Sequence, residues 1–171
     1  MAVSNAEMLA LARKLPIPVP WNRNVFIENL ARERGRPIQL IPTDVTAIFA
    51  DVPCGVWLTR DHDDVILHEA GTTDYHIDQI VSHEIGHMVL GHTSVPQFDN
   101  NQDRQSELLR TILPDLDPAS VHAILGRTNY ATDQERDAEM FANMLMIAAV
   151  EAGSRQSMMD TFFSAGGAWG R

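Results

Sequence analysis

Between Thr73 and Gly91 the chain reads TDYHIDQIVSHEIGHMVLG, and no other stretch limits the possible folds as much. Ile80, Val81, Ile85, Met88 and Val89 give it an apolar background, so it reads as a helix from about Thr73 to Leu90, closed by Gly91. His83, Glu84 and His87 interrupt that background and must face the interior or a cleft. On a helix, positions i and i+4 share one face, roughly 6 Å apart along the axis. Two imidazoles so placed reach a single zinc ion at about 2.0–2.1 Å. Glu84, beside the first histidine, can then take a proton from a water that the ion activates. The plainer alternative is two satisfied histidines on a partly exposed helix. The apolar setting, the room left by Gly86, and a third ligand downstream weigh against it.

Two candidates exist for that third ligand. The extended pattern HExxHxxGxxH requires Gly at 90 and His at 93, where this chain has Leu90 and Thr93. His92 therefore reads as a helix-end residue near the C-terminal dipole or an exposed loop histidine. The stretch ERDAEMFA at 135–142 fits better. Glu135 and Glu139 stand at i and i+4, with Ala138, Phe141, Ala142 and Leu145 as the packing face. Glu135 supplies the third ligand; Glu139, one turn on, can accept the far ring N–H of a ligand histidine and fix its tautomer. By itself the 135–139 stretch would read as a solvated acidic helix start, and coupling to HEIGH reverses that reading.

The remaining segments supply a scaffold. AEMLALARKL (6–15) is helix-like and stops at PIPVP, which runs extended. WNRNVFIENLARERG (21–35) is a helix with Phe26, Ile27, Leu30 and Ala31 on one face and Gly35 as its stop. PIQLIP (37–42) is a short strand, and GVWLTR (55–60) and DVILHEA (64–70) form a hairpin across Asp61, His62 and Asp63. Residues 92–101 are loop, a polar helix occupies 102–113, and a short helix follows near 118–125. The longest helix, 132–153, opens on a Thr132 cap with Glu135 at the capping-box offset and ends at Gly153. Residues 154–171 read as a loosely ordered tail. Met140, Met144, Met146, Met158 and Met159 read as core or helix-packing residues.

Size and charge narrow the function classes. A chain of 171 residues builds one domain with a real core. Its net charge of −10 disfavours direct binding to nucleic acid or an anionic membrane, and suits a cationic or mixed-charge protein partner. Cys54 is the single cysteine, so no intrachain disulfide forms. The N-terminus lacks a basic n-region and no apolar run is long enough to span a membrane, so the expected location is the cytoplasm.

HExxH followed by E-x-x-A-E-x-F-A resembles the ImmA/IrrE family of metallopeptidases, and the order helix, strand, hairpin, HEIGH helix extends the likeness over residues 21–150. The resemblance implies an α+β fold: a single zincin-like domain over 1–171, with a small antiparallel or mixed sheet packed on the HEIGH helix and on a second ligand-bearing helix. It implies Zn2+ as cofactor, His83, His87 and Glu135 as its ligands, and Glu84 as general base. Glu139 departs from the Asn or Asp often found at that position. The implied substrate is a helix-turn-helix transcriptional repressor, cleaved to switch on a stress or mobile-element response. Peptide hydrolysis also needs an oxyanion donor, for which Tyr75, His76, His122 and Tyr130 are candidates, Tyr130 being favoured for its place just before the ligand helix. Cys54, in PCGVW, is a candidate for an inhibitory thiolate switch or a small buried hydrophobe. Two other functions compete: a zinc-binding regulatory module without turnover, and the toxin of a toxin–antitoxin pair. Glu84 favours the enzyme, because a scaffold has no chemical need for it.

Overall fold

The computed structural model describes residues 3–48, 55–92, 121–125 and 132–166, together with Glu107, Arg110, Thr111 and Pro114. In chain order the elements are α1 (Asn5–Ala12), α2 (Arg23–Arg34), β1 (Ile38–Thr43), α3 (Val45–Ile48), β2 (Gly55–Arg60), β3 (Asp64–Glu69), α4 (Asp74–Leu90), β4 (Val121–Leu125) and α5 (Thr132–Gly166). The chain is thus a mixed α and β structure.

The four strands lie in the order β1-β3-β2-β4. β1 runs parallel to β3, while β2 is antiparallel to both β3 and β4, so the sheet is mixed. The expected hairpin is present, with Arg60 N–H donating to Asp63 O at 2.9 Å across the turn. Central strands lose both faces to the interior, and their sequences show it. Val56, Leu58, Val65, Ile66 and Leu67 are all fully buried, an unbroken apolar run rather than an alternating one. Trp57 and Ile66 share a face with the helical core residues Phe26, Leu30, Val81, Ile85, Phe141 and Leu145.

Local chemistry sets the helix ends. Ser4 and Glu7 close a capping box on α1, Ser4 Oγ accepting from Glu7 N–H at 3.3 Å while the Glu7 carboxylate accepts from Ser4 N–H at 2.9 Å. Asn22 caps α2 by accepting from Val25 N–H at 3.1 Å. Trp21 Nε1 and Arg23 then donate to Asp78 of α4 at 3.0 and 2.6 Å, which ties the start of α2 to the helix carrying HEIGH. Met8 and Ala12 of α1 are fully buried, and Arg13 forms a two-pronged pair with Glu151 of α5.

Four expectations need correction. VHAIL at 121–125, read as part of a short helix, is strand β4, paired with β2 from Trp57↔Leu125 to Arg60↔Val121. Five residues carry too little periodicity to choose, and a pairing partner far away in sequence decides. The long helix does not end at Gly153 but continues to Gly166. Gly153 is not among the glycines with positive φ, so it is an ordinary helical residue, at a cost of about 1 kcal/mol relative to alanine that its neighbours outweigh. The tail 154–171 is therefore helical as far as 166. Met158 and Met159 are 67% and 56% exposed, not packed, beside exposed Phe162 and Phe163. Met140, Met144 and Met146 do pack against the core. Of the helix expected over 102–113, the described Glu107, Arg110 and Thr111 are helical; the rest lies outside the described residues. No helix among the described residues is long and apolar enough to cross a membrane.

Candidate metal centre

Helix α4 runs from a Thr73 cap, whose hydroxyl accepts from His76 N–H at 3.3 Å, to Gly91 in the left-handed region at φ 69°. Its middle is buried, Ile80 to Met88 nearly without interruption. Helix α5 packs across that middle. A methyl group on Gly86 would lie 3.1 Å from the Ala138 carbonyl oxygen and 3.2 Å from both its Cα and Phe141 Cδ1, so two small residues set how closely the helices approach. That approach brings Glu135, one turn before Ala138 on α5, to the two histidines flanking Gly86.

The three side chains converge. His83 Nε2 and His87 Nε2 are 3.0 Å apart. Glu135 Oε2 lies 3.5 Å from His83 Nε2, and its Oε1 lies 3.4 Å from His87 Nε2. A metal about 2.0–2.1 Å from each of three tetrahedrally placed donors holds those donors about 3.3 Å apart. The two imidazole nitrogens are near that spacing, and each faces one Glu135 oxygen at a similar distance; one donor atom from each of the three residues lies within 4.8 Å of the others. Two imidazole nitrogens and a carboxylate oxygen also form a donor set that suits first-row divalent ions. The residues His83, His87 and Glu135 could therefore hold a metal ion.

Protonation agrees with that use. Burial pushes the His87 pKa down, more than Glu135 pulls it up, which keeps a nitrogen lone pair available at neutral pH. Burial alone would raise the Glu135 carboxyl, but hydrogen bonds and charge from His83 and His87 outweigh it and hold the group at about 2. Glu135 is thus a carboxylate across the working range.

Glu84 is 5% exposed and lies against the first residue of β2. A methyl group on Gly55 would stand 3.1 Å from Glu84 Oε1 and 2.5 Å from Ile80 Cγ2, so the carboxylate occupies space that only glycine leaves open. Gly55 was not singled out by sequence reasoning. Its signal is a glycine opening an otherwise bulky buried strand.

His92 follows the first of its two expected readings: it sits at the end of α4, its N–H donating to His87 O at 3.0 Å. It is half-buried rather than an exposed loop residue, and its Nδ1 lies 2.9 Å from His87 Nδ1. It stands behind His87, on the side of the ring away from Glu135 and His83, and burial pushes its pKa down. Glu139 is exposed, one turn beyond Glu135. Among the oxyanion candidates, Tyr75 is 71% exposed and His76 is exposed. Both sit in the first turn of α4, roughly 10 Å of helix rise before His83. The structure does not bring either to the cluster. His122 lies in β4. Tyr130 and Cys54 lie outside the described residues.

A comparison with family models, curated proteins and solved structures returned no match.

Proposed function

We propose that the protein is a zinc-dependent endopeptidase of the ImmA/IrrE type, with a zincin-like fold and a narrow specificity for a helix-turn-helix transcriptional repressor. The observation that carries this reading is the juxtaposition of a three-ligand cluster with a buried, non-ligand carboxylate. His83, His87 and Glu135 present three donor atoms within 4.8 Å of one another, and Glu84 adjoins the first of them in sequence. The motif pair HEIGH and ERDAEMFA supports the family and the choice of zinc; the cluster alone supports a metal ion.

When bound, a zinc ion supplies Lewis-acid activation of a water and of a peptide carbonyl. The chain's own residues do the rest. Glu84, held between α4 and the start of β2, takes a proton from the attacking water and passes one to the departing amine. His83 and His87 keep their Nε2 lone pairs turned to the same point as the Glu135 oxygens. A repressor as substrate follows from the family resemblance, and the chain's net charge of −10 is compatible with a basic protein partner.

Glu84→Gln tests this reading. It keeps size and hydrogen-bonding capacity while removing the base, so fold and zinc content should stay as in wild type. Cleavage of the cognate repressor, assayed by co-expression with the product of the neighbouring gene, should fall by roughly two to four orders of magnitude. If Glu84→Gln complements a deletion strain as well as wild type does, proteolysis is not the function and a non-hydrolytic regulatory module replaces it.

A further inference from the structure

We propose that His92 is a positioning residue for the metal centre, its Nδ1 accepting the single ring proton of His87 and thereby fixing which nitrogen of His87 faces the ion. The inference rests on the metal-site reading of His83, His87 and Glu135, and not on peptide hydrolysis.

The argument is one of counting protons. A neutral imidazole carries one, on one nitrogen or the other. His87 Nε2 points into the cluster, 3.0 Å from His83 Nε2 and 3.4 Å from Glu135 Oε1. To offer a lone pair there, His87 must keep its proton on Nδ1. That nitrogen lies 2.9 Å from His92 Nδ1, which is then the acceptor, with the His92 proton on its own Nε2. Metal-ligating histidines generally donate their second N–H to a carboxylate, a carbonyl or water. A neutral imidazole fixes the same tautomer with a weaker pull on the ring.

The backbone enforces the arrangement independently. Gly91 turns into the left-handed region and donates to Met88 O at 3.3 Å; the next residue, His92, donates its N–H to His87 O at 3.0 Å. This is the paired closure common at helix C-termini, and it places the residue after the glycine over the residue five positions earlier. His92 is therefore tied to His87 twice, once through the main chain and once through the ring. The rings meet edge to face, with centroids 5.1 Å apart and planes at 65°.

The test uses the full chain and zinc itself, titrated against a chromogenic chelator, with His92→Ala and His92→Asn compared with wild type. Asn Oδ1 branches from Cγ as His Nδ1 does, so it offers an acceptor at nearly the same place. His92→Ala should weaken zinc binding by about 10- to 100-fold, the usual effect of removing such a partner, and His92→Asn should restore most of the loss. Ring nitrogen shifts of His87 in zinc-loaded protein should report a proton on Nδ1. Two results would overturn the inference: zinc binding by His92→Ala as tight as wild type, or His92→Asn as weak as His92→Ala, which would assign the loss to packing. A wild-type chain that binds no zinc would bring down the site reading together with it. Repressor cleavage that fails while the zinc results hold would bring down the peptidase reading alone.

Discussion

Glu135 Oε1 lies 3.4 Å from His87 Nε2 across the seam between α5 and α4. A carboxylate held at about 2, against an ordinary 4.5, stabilises the fold in full above pH 4.5 and loses that contribution as pH falls toward 2. Glu135→Gln removes the charge. In chelator-treated protein, the stability difference between wild type and Glu135→Gln should hold steady from pH 7 to about 5 and close below it, as followed by urea unfolding. Metal analysis of untreated protein should show about one zinc per wild-type chain and much less in the variant. Wild-type zinc content in Glu135→Gln or Glu135→Ala would remove Glu135 as a ligand.

Gly55→Ala should separate metal binding from catalysis. The added methyl would stand 2.5 Å from Ile80 Cγ2 and 3.1 Å from Glu84 Oε1, so its nearest neighbours include the proposed base and none of His83, His87 and Glu135. A shift of about 1 Å in a catalytic group can cost on the order of 100-fold. Repressor cleavage should fall by about that much while zinc content holds. Unchanged cleavage would mean that Glu84 need not sit where β2 leaves room for it.

His68 gives a pH dependence away from the metal. It is 6% exposed in β3, and burial pushes its pKa below the ordinary 6.5 despite the Glu69 carbonyl 3.1 Å from its Nδ1. The unfolded chain takes up the proton first, so this residue's contribution is present above pH 6.5 and is lost as pH falls below it, at no more than about 1.4 kcal/mol per pH unit. The drop in melting temperature between pH 8 and 5.5 should be smaller in His68→Gln than in wild type. Equal drops would show that His68 is free to charge in the folded state.

The C-terminal half of α5 should be insensitive to polar substitution. Phe162 and Phe163 are 76% and 69% exposed, with ring centroids 5.9 Å apart on the open side of the helix. The double substitution Phe162→Ser with Phe163→Ser should leave the unfolding free energy within about 0.5 kcal/mol of wild type. A loss of several kcal/mol would mean that these rings are covered in solution.

Elements whose identity is written within a few neighbouring residues were legible without coordinates. The stops of α2 and α4 at Gly35 and Gly91 and the Asp61–Asp63 turn belong here, and so does the cluster, because His83 and His87 share one helix face and Glu135 stands in the first turn of the long helix that follows. What escaped depended on distant partners. VHAIL becomes a strand because β2 offers it a free edge, and Gly55 matters because Glu84 folds back onto it. The helix-end place of His92 was legible, but its contact with His87 was not, because that follows from the left-handed turn at Gly91, which folds His92 back over the residue five positions earlier.

The close packing of Gly86 on Ala138 has a consequence for which ions the proposed site would choose. Donors around zinc want bonds of about 2.0–2.1 Å, whereas calcium wants 2.3–2.6 Å and more oxygens. Here the gap between donors on different helices is gauged by a pair of small residues that touch no ion. A methyl group at Gly86 wedges α4 from α5 and widens that gauge, so Gly86→Ala should discriminate less sharply between ions of different radius, even with every ligand in place. On the metal-site reading proposed above, selectivity by size becomes a property of helix spacing, written in a residue that offers no ligand atom.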